Sequence, residues 1–170
     1  MLVGTNRENS YTLSVARFYH QTLQELGIES DLIGIEDIPF HSISDLLYKK
    51  GTNPFREYAH QLFVNSPKLV IVSPEYNGSY PGVLKLLLDA CEPPIFKGKK
   101  IGLIGVASGR AGNLRGIDQL ASVLNYLKME VYSQKIPISG IQNLVDEHRN
   151  LVDNYTQLVL KNHAQELIIF

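Results

Sequence analysis

Short apolar runs alternate along the chain with longer segments in which apolar residues recur every three or four positions. The apolar runs span residues 28–35, 69–73, 101–107 and 131–138, and a shorter run precedes Gly4. Residues 69–73 and 101–107 are apolar at nearly every position, which is typical of strands covered on both faces. The pattern therefore predicts a mainly parallel sheet with buried strands.

The segments between these runs have helical spacing. One face of the first helix is formed by Leu13, Ala16, Tyr19, Leu23 and Leu26. Gly27 is expected to end this helix, as glycine commonly does just past a helix. Further helices are predicted over residues 54–63, 82–92, 113–128 and about 146–167. Alternating strands and helices predict an α/β protein, here one domain over residues 1–170.

Further predictions concern the last helix, the segment 41–53 and the single cysteine. The last helix is expected to face the core with Leu151, Tyr155 and Leu158. Residues 41–53 are polar and interrupted, and we interpret them as a surface connection with about one helical turn. Cys91, in the apolar helix 82–92, is expected to behave as a small hydrophobic residue and not as a nucleophile.

Composition and charge exclude several classes of protein. Hydrophobic residues make up 44% of the 170 residues and charged residues 19%, which is an ordinary globular mixture. The formal net charge is −1, without the basic excess of a nucleic-acid-binding protein. One cysteine excludes an internal disulfide framework, and none of the five histidines has metal-ligand spacing. No apolar run approaches the ~20 residues of a membrane-spanning helix, so a soluble cytoplasmic protein is predicted.

A cluster of hydroxyls and one guanidinium follows the first short strand. The sequence from Gly4 to Thr12 reads GTNRENSYT, with Thr5, Arg7 and Ser10 just before or at the start of the first helix. Free N–H groups and the helix dipole make a helix start an anion site, and Arg7 adds a charge-assisted donor. The alternative is that Ser10 only caps the helix. Neither a G-x-G-x-x-G fingerprint nor a P-loop is present.

Two further loops follow the next buried strands. The first, from Ser73 to Gly82, reads SPEYNGSYPG, and the second, from Gly105 to Gly112, reads GVASGRAG. Ligands of open α/β sheets bind just outside the carboxyl ends of the strands, where both loops fall. An ordinary turn remains the alternative for the first loop, and a plain strand-to-helix connection explains the second about equally well.

Taken together, the Gly4–Thr12 and Pro74–Gly82 motifs resemble those of the NAD(P)H-dependent FMN reductases. This flavodoxin-like group includes quinone, chromate and azo-dye reductases, and the likeness runs from Gly4 to the last helix. The resemblance implies a three-layer α/β fold whose five-stranded parallel sheet has the order 2-1-3-4-5, with helices on both faces. It also implies bound FMN, with NAD(P)H as the electron donor.

The resemblance assigns a role to each motif. The first would hold the FMN phosphate, the second would lie along the isoalloxazine ring, and the third loop would border the other side of the ring. The implied cofactor-binding residues are Thr5, Arg7, Ser10, Tyr11, Thr12, Pro74, Glu75, Tyr76, Asn77, Gly78, Ser79, Ser108 and Gly109. No catalytic side chain and no metal ligand are predicted, because the flavin itself carries the hydride chemistry.

The predicted function is an oxidoreductase that passes a hydride from NAD(P)H through FMN to a small acceptor such as a quinone, an azo compound or free flavin. One alternative is a flavodoxin-like FMN-binding electron carrier without NAD(P)H oxidase activity; another is a relic of the fold that binds no flavin. Carriers usually present an acidic face, which a net charge of −1 does not favour. No nucleic-acid or membrane partner is expected.

Two expectations concern assembly and the first strand. A homodimer or homotetramer is predicted, because helix 82–92 carries more apolar surface than one core-facing stripe needs. Only Met1, Leu2 and Val3 precede Gly4, whereas strands usually have ~5–6 residues. We therefore expect either that the chain begins inside its first strand or that further residues precede Met1 in the complete protein.

Overall fold

A parallel sheet between two helical layers dominates the computed structural model, which describes residues 1–35, 38–43, 51 and 53–170. The strands are β1 (Leu2–Val3), β2 (Lys68–Pro74), β3 (Lys100–Val106), β4 (Glu130–Val131) and β5 (Ile136–Ile138). The helices that cover them are α1 (Tyr11–Glu25), α2 (Pro54–Val64), α3 (Gly82–Asp89), α4 (Leu114–Tyr126) and α5 (Asn154–Ile169). Short 3₁₀ helices lie at Phe40–Ser42, Pro93–Phe96 and Ile141–Asn143.

Two separate cores confirm the three-layer α/β architecture. On one face of the sheet, α2, α3 and α4 bury a cluster that includes Phe55, Phe63, Leu84, Leu87, Ile117 and Leu120. On the other face, α1 and α5 bury a cluster that includes Val15, Tyr19, Leu160, Ala164 and Leu167. Every residue of β2 and β3 after the first is buried, as the unbroken apolar runs predict.

The strand order departs from the expected 2-1-3-4-5 at one edge of the sheet. β1, β2 and β3 are adjacent and parallel, but β4 and β5 both pair with β3, at its start and at its end. The prediction of one continuous strand over residues 131–138 is therefore wrong. Its middle leaves the sheet, and there the Gln134 carbonyl accepts a hydrogen bond from His163 of α5 (3.1 Å) instead of a strand partner.

The other edge of the sheet is also shorter than expected. Within the predicted strand 28–35, only an isolated parallel bridge between Ile33 and Leu2 forms. Closer to the start of this segment, the Ser30 hydroxyl hydrogen-bonds the His20 ring of α1 (2.9 Å). A continuous second strand was therefore a wrong prediction, although the segment does lie beside β1.

The two residues of β1 are hydrogen-bonded on both sides. Val3 N–H donates to the Ile33 carbonyl (2.9 Å), and Ile33 N–H donates to the Met1 carbonyl (2.8 Å). Just past the strand, Gly4 N–H donates to the Val72 carbonyl (2.8 Å), and a Cβ at Gly4 would lie 3.0 Å from that oxygen. Glycine is needed there for the first loop to leave the sheet close to β2. The expectation of residues before Met1 stays a prediction.

The last helix begins later than predicted. α5 starts at Asn154 rather than near residue 146, and the carboxylate of Asp153 caps it by accepting from Thr156 N–H (2.8 Å). Leu151 is buried, but Tyr155 is 76% exposed and Leu158 is 55% exposed, so the predicted inward face is wrong for both. The face that α5 buries consists of Leu160, His163, Ala164 and Leu167.

The remaining helices confirm most of the predicted bounds. Gly27 follows α1 with φ +75°, a left-handed conformation that glycine adopts without steric cost. α3 ends at Asp89, three residues before the expected end at Glu92. Cys91 is buried just beyond it, and burial raises the pKa of its thiol to about 12, which confirms the interpretation as an apolar residue. No helix in the described ranges is long and apolar enough to cross a membrane.

The predicted surface connection over residues 41–53 is buried at Ser42, near its start, and at Asn53, its last residue. The Ser42 hydroxyl accepts from Phe55 N–H (3.1 Å), and the Asn53 amide donates to the Ser42 carbonyl (2.9 Å). Asn53 also caps α2 by accepting from Phe55 N–H (2.9 Å). These contacts fix the start of α2, so exposure was the wrong prediction for Ser42 and Asn53. Residues 44–50 and 52 lie outside the described residues.

A buried histidine joins α1, α5 and the interrupted sheet edge. His163 is fully buried; its Nε2 lies 3.1 Å from the Gln134 carbonyl and its Nδ1 2.8 Å from the Tyr19 hydroxyl. Because a carbonyl only accepts, Nε2 carries the proton, and Nδ1 accepts from the Tyr19 O–H. Burial lowers the pKa of His163, whereas the Gln134 hydrogen bond and the nearby Glu166 oppose that shift. The ring is therefore neutral in the folded protein at neutral pH.

We expect the melting temperature to fall as the pH is lowered from about 7 to about 5, because the unfolded chain then protonates His163 at its ordinary pKa of ~6.5. Above that pKa neither state is protonated, and the contribution of His163 is constant. The melting temperature of His163→Gln should be lower than that of the unaltered protein at every pH, but it should depend less on pH. Each ~1 kcal/mol of lost stability lowers the melting temperature of a chain of this size by roughly 2–4 °C. The exposed His148, changed to Gln, serves as the control. An equally steep decline in His163→Gln would contradict this assignment.

Candidate active site

The loops after β1, β2, β3 and β5 meet at the carboxyl edge of the sheet and enclose a cleft of about 350 Å³. Ligands of open α/β sheets bind at this edge, where the connections leave toward opposite faces. The cleft is lined by Arg7, Glu8, Asn9, Ser10, Tyr11, Thr12, Pro74, Glu75, Tyr76, Val106, Ala107, Ser108, Ile141 and Arg149. Its walls thus come from residues distant in sequence, which the sheet brings together.

The first wall is the start of α1. Ser10 caps the helix, and its hydroxyl accepts from Leu13 N–H (3.3 Å). The N–H groups of Tyr11 and Thr12 have no acceptor inside the helix because they belong to its first turn. Together with the positive end of the helix dipole, these N–H groups favour an anion. The helix-cap role of Ser10 and the anion site are therefore compatible, not exclusive.

Thr5 connects this wall to the second loop. Its buried hydroxyl accepts from Arg7 N–H (3.2 Å) and shares a hydrogen bond with the Tyr76 hydroxyl (2.7 Å). The Arg7 guanidinium lies over the Tyr76 ring, 5.1 Å from its centroid. Thr5 thus fixes where the Tyr76 ring stands, and the ring in turn supports Arg7 through a cation–π contact.

The second wall is a tight turn after β2. Tyr76 N–H donates to the Ser79 carbonyl (2.8 Å), and Ser79 N–H donates to the Tyr76 carbonyl (3.1 Å). Asn77 and Gly78 have φ values of 52° and 80°, the two consecutive left-handed residues of a type I′ turn. The Asn-Gly pair in the sequence is the residue combination that this turn prefers, so its position was predictable.

The turn after β2 rests directly on α4. A Cβ at Gly116 would lie 2.8 Å from both the Ser79 carbonyl carbon and the Tyr80 nitrogen, so only glycine allows this approach. The Ser79 hydroxyl donates to the Gln119 side chain, also on α4. α4 therefore holds the turn in place without contributing side chains to the cleft.

The third loop is held against the sheet. The Asn113 side-chain amide donates to the Ser73 carbonyl at the end of β2 (2.8 Å). Gly112 has φ 57°, and a Cβ there would lie 2.8 Å from the carbonyl carbon of Pro137 in β5. Ser108 emerges from this loop into the cleft, whereas Gly109 is exposed and does not line it.

The structure brings most of the predicted residues together. Arg7, Ser10, Tyr11, Thr12, Pro74, Glu75, Tyr76 and Ser108 line the cleft. Thr5 lies behind the wall and acts through Tyr76, and Asn77, Gly78 and Ser79 form the turn at the rim. Within the described part of the chain, no group of three or more potential metal-ligating side chains forms.

Sequence reasoning missed the residues contributed by the segments after β5. Ile141 and Arg149 both line the cleft, and the Arg149 guanidinium lies 4.3 Å from the centroid of the Tyr11 ring. Nothing in the local sequence marks Arg149, since a single arginine in a polar loop is ordinary. Only the return of the chain after β5 places it beside α1.

The cleft has what a flat phosphorylated ligand requires. At one end, free N–H groups, hydroxyls and two guanidinium groups are suited to a phosphate. Towards the other end, Pro74, Tyr76, Val106 and Ile141 provide apolar surface against which an aromatic ring can lie. This donor set fits FMN, with its phosphate at α1 and its ring toward β2 and β3.

Comparisons with known proteins agree with the motifs and the fold. The NADPH-dependent FMN reductase family profile matches residues 1–143. An NAD(P)H-dependent FMN reductase of Pseudomonas aeruginosa is 30% identical over 168 residues, covering 96% of this chain and 89% of that protein. A 2-hydroxy-1,4-benzoquinone reductase of a Burkholderia species is 28% identical over 167 residues, covering 95% and 88%.

A solved structure extends the comparison to the fold. The flavoenzyme NAD(P)H:(acceptor) oxidoreductase FerB from Paracoccus denitrificans has a TM-score of 0.77 at 22% identity, covering 98% of this chain and 92% of that one. The flavodoxin-like fold predicted from the sequence is thereby confirmed. Because the family profile spans most of the chain, the family prediction is confirmed as well. The protein belongs to the NADPH-dependent FMN reductase family.

Proposed function

We propose that residues 1–170 form one FMN-binding domain that acts as an NAD(P)H-dependent oxidoreductase on a small acceptor. The observation that carries the proposal is the cleft, where the start of α1 with Arg7 and Ser10 faces the Pro74–Tyr76 wall. Related proteins named as FMN and quinone reductases support the same reaction class. The cytoplasmic location expected from the sequence stays a prediction.

In this proposal the start of α1 binds the FMN phosphate. The N–H groups of Tyr11 and Thr12 and the Ser10 hydroxyl supply hydrogen-bond donors, and Arg7 supplies a positive charge. Thr5 acts indirectly, because its hydroxyl is already bonded to Tyr76 and to Arg7 N–H. Its role is to hold the two walls at a fixed spacing.

The remaining cleft residues position the ring. Pro74 and Tyr76 form one wall, and Ala107 and Ser108 form the other. FMN, when bound, supplies the hydride chemistry between NAD(P)H and the acceptor. The protein contributes orientation and leaves the ring accessible from the open side of the cleft, where NAD(P)H and the acceptor would bind in turn.

Arg7→Ala should weaken FMN binding by about tenfold and leave riboflavin binding unchanged, because riboflavin has no phosphate. A lost hydrogen bond to a charged group costs about 1.5–3 kcal/mol, and the exposure of Arg7 favours the lower end. Flavin fluorescence titration measures both affinities. Arg110→Ala is the matched control, since Arg110 is an exposed arginine that does not line the cleft. Equal affinity of the unaltered protein for FMN and riboflavin would contradict the phosphate assignment.

NADPH or NADH alone should bleach the absorption of the FMN-loaded protein under anaerobic conditions, and a quinone should restore it. An FMN reductase accepts the hydride directly, whereas an electron carrier of the flavodoxin type requires a second protein. Free FMN at the same concentration is the control for uncatalysed reduction. A loaded protein that neither coenzyme bleaches would favour the carrier, and a protein that retains no flavin would favour the relic.

We also propose that the protein is a homodimer or homotetramer that assembles through α3 and α4. Val83 and Leu86 on α3 are only partly buried, as expected for a helix with more apolar surface than its own core needs. A groove of about 560 Å³ lies between the two helices, lined in part by Val123 and Leu127. Tyr126 at its edge is 85% exposed, a large amphipathic side chain of the kind enriched in interfaces.

Tyr126→Glu should therefore shift the mass measured by light scattering at micromolar concentration toward that of the monomer. A carboxylate at the edge of this groove is costly to desolvate once a partner subunit covers it. Tyr155→Glu is the matched control, because Tyr155 is also an exposed tyrosine but lies on α5, on the opposite face of the sheet. A monomeric mass of the unaltered protein would refute the assembly.

A further inference from the structure

The loop between β5 and α5 closes on itself through one aspartate. The Asp146 carboxylate accepts from Asn150 N–H (2.7 Å) and from the Asn150 side-chain amide (3.0 Å), and these bonds lower its pKa. Asp146 N–H donates to the Asn150 carbonyl, and Arg149 N–H donates to the Asp146 carbonyl, both at 3.0 Å. Val145 and Leu151 form an antiparallel bridge at the base of this turn. The turn 146–150 is therefore a defined structure and not an open connection.

This turn presents Arg149 to the start of α1. Arg149 has φ 64°, a left-handed conformation that the hydrogen bonds of the turn maintain. Its guanidinium lies 4.3 Å from the centroid of the Tyr11 ring, and Tyr11 is the first residue of α1. Arg149 therefore contacts the first residue of α1 and lines the same cleft as the helix start to which we assigned the FMN phosphate.

Two guanidinium groups thus line the cleft at the start of α1. Arg7 stacks on Tyr76 and Arg149 stacks on Tyr11, and both line the same cleft. Among the residues that the structure describes, neither arginine forms an ion pair with a carboxylate. Glu8 and Glu75 also line the cleft, but within the described part of the chain neither carboxylate is within ion-pair distance of the two guanidinium groups. Both guanidinium groups are therefore available to an anion at the positive end of the helix dipole.

We propose that Arg149 is a second cationic ligand of the FMN phosphate and that the turn 146–150 holds it in position. This inference rests on the proposed function, because it requires FMN with its phosphate at α1. A planar guanidinium stacked on an aromatic ring keeps its N–H groups free at the edge for phosphate oxygens. The stacking on Tyr11 also limits the conformational entropy that the side chain loses on binding.

A phosphate of NADPH is the other possible source of the anion. A smaller pocket of about 130 Å³ adjoins the cleft, and Arg17 and His148 line it together with Arg149. FMN is favoured because Arg149 also lines the main cleft with Arg7 and Thr12, which do not line the smaller pocket. Arg17 and His148, in turn, do not line the main cleft. If Arg149 binds the FMN phosphate, its removal weakens FMN binding at equilibrium; if it binds a phosphate of NADPH, its removal leaves FMN binding unchanged.

The test is FMN and riboflavin affinity of Arg149→Gln, measured by quenching of flavin fluorescence on the apoprotein. FMN binding should weaken about twofold to fivefold, the range for an exposed charged contact, and riboflavin binding should not change. Arg17→Gln is the matched control, because it removes a nearby positive charge from α1 outside the cleft. The melting temperature of the apoprotein should be the same in all three proteins.

The salt dependence of FMN binding and two further variants, Asp146→Ala and Arg149→Lys, supply additional tests. Raising the salt concentration from a low value to about 0.3 M should weaken FMN binding to the unaltered protein more than FMN binding to Arg149→Gln. Salt screens the attraction between Arg149 and the phosphate, and this attraction is absent from the variant. Asp146→Ala leaves the guanidinium but opens the turn, so it should weaken FMN binding less than Arg149→Gln does. Restoring the charge with Arg149→Lys should restore the salt dependence but only part of the affinity.

The outcomes separate this inference from the proposed function. If the unaltered protein prefers FMN to riboflavin but Arg149→Gln binds FMN normally, the role of Arg149 is overturned while the FMN site stands. A raised KM for NADPH alone, with unchanged FMN affinity, overturns it in favour of the coenzyme phosphate. If the unaltered protein binds FMN no better than riboflavin, the phosphate assignment fails, and this inference with it.

Discussion

The pairing of β2 with β3 is the interaction on which the rest of the structure depends. The two strands match over seven residues in unbroken parallel register, from Lys68 opposite Lys100 to Pro74 opposite Val106. Almost all of this ladder is buried between the two helical layers, so its hydrogen bonds are sheltered from water. A slip by one residue would exchange the side chains packed in the two cores and disturb their close packing. Because the strands end side by side, the turn after β2 and the loop after β3 must start next to each other. The cleft is therefore a consequence of strand register.

Close backbone approaches transmit this register to the loops. Gly4 lets the first loop pass within contact distance of the Val72 carbonyl, and Gly116 lets α4 press against the turn after β2. Asn113 adds a side-chain bond to the end of β2, at the cost of a buried carbonyl oxygen, Oδ1, that has no partner in the structure. Such an unsatisfied atom is unfavourable by about 1–3 kcal/mol, and the hydrogen bond from the Asn113 amide to the Ser73 carbonyl offsets part of this cost. The loops around the cleft are thus fixed by contacts outside it.

The sequence was informative where one local rule decided the structure. Unbroken apolar runs predicted β2 and β3, and the position of the Ser73–Gly82 loop after a buried strand predicted that it would lie at the ligand-binding edge of the sheet. The sequence was less informative where contacts between distant residues override the local spacing of apolar residues. Leu158 has helical spacing, but α5 starts after the Asp146–Asn150 turn, and its buried face follows His163 instead. The edge strand is broken because the Gln134 carbonyl serves the buried imidazole of His163, a requirement that no periodicity reveals. Arg149 was missed for the same reason: its position depends on the path of the chain after β5.

Burial divides the site into residues that shape the cleft and residues that meet the ligand. Thr5 and Asn113 are fully buried and bonded to neighbouring loops, so their removal would disturb the walls themselves. Arg7 and Arg149 are exposed, and each is held by one aromatic ring, so the fold does not depend on them. Exposed charges contribute little to the stability of the fold because water screens them. Beside the other hydrogen-bond donors of the cleft, however, both arginines attract the same dianionic phosphate. Phosphate affinity in this fold can therefore change through surface arginines without loss of stability, whereas changes to the walls alter both at once.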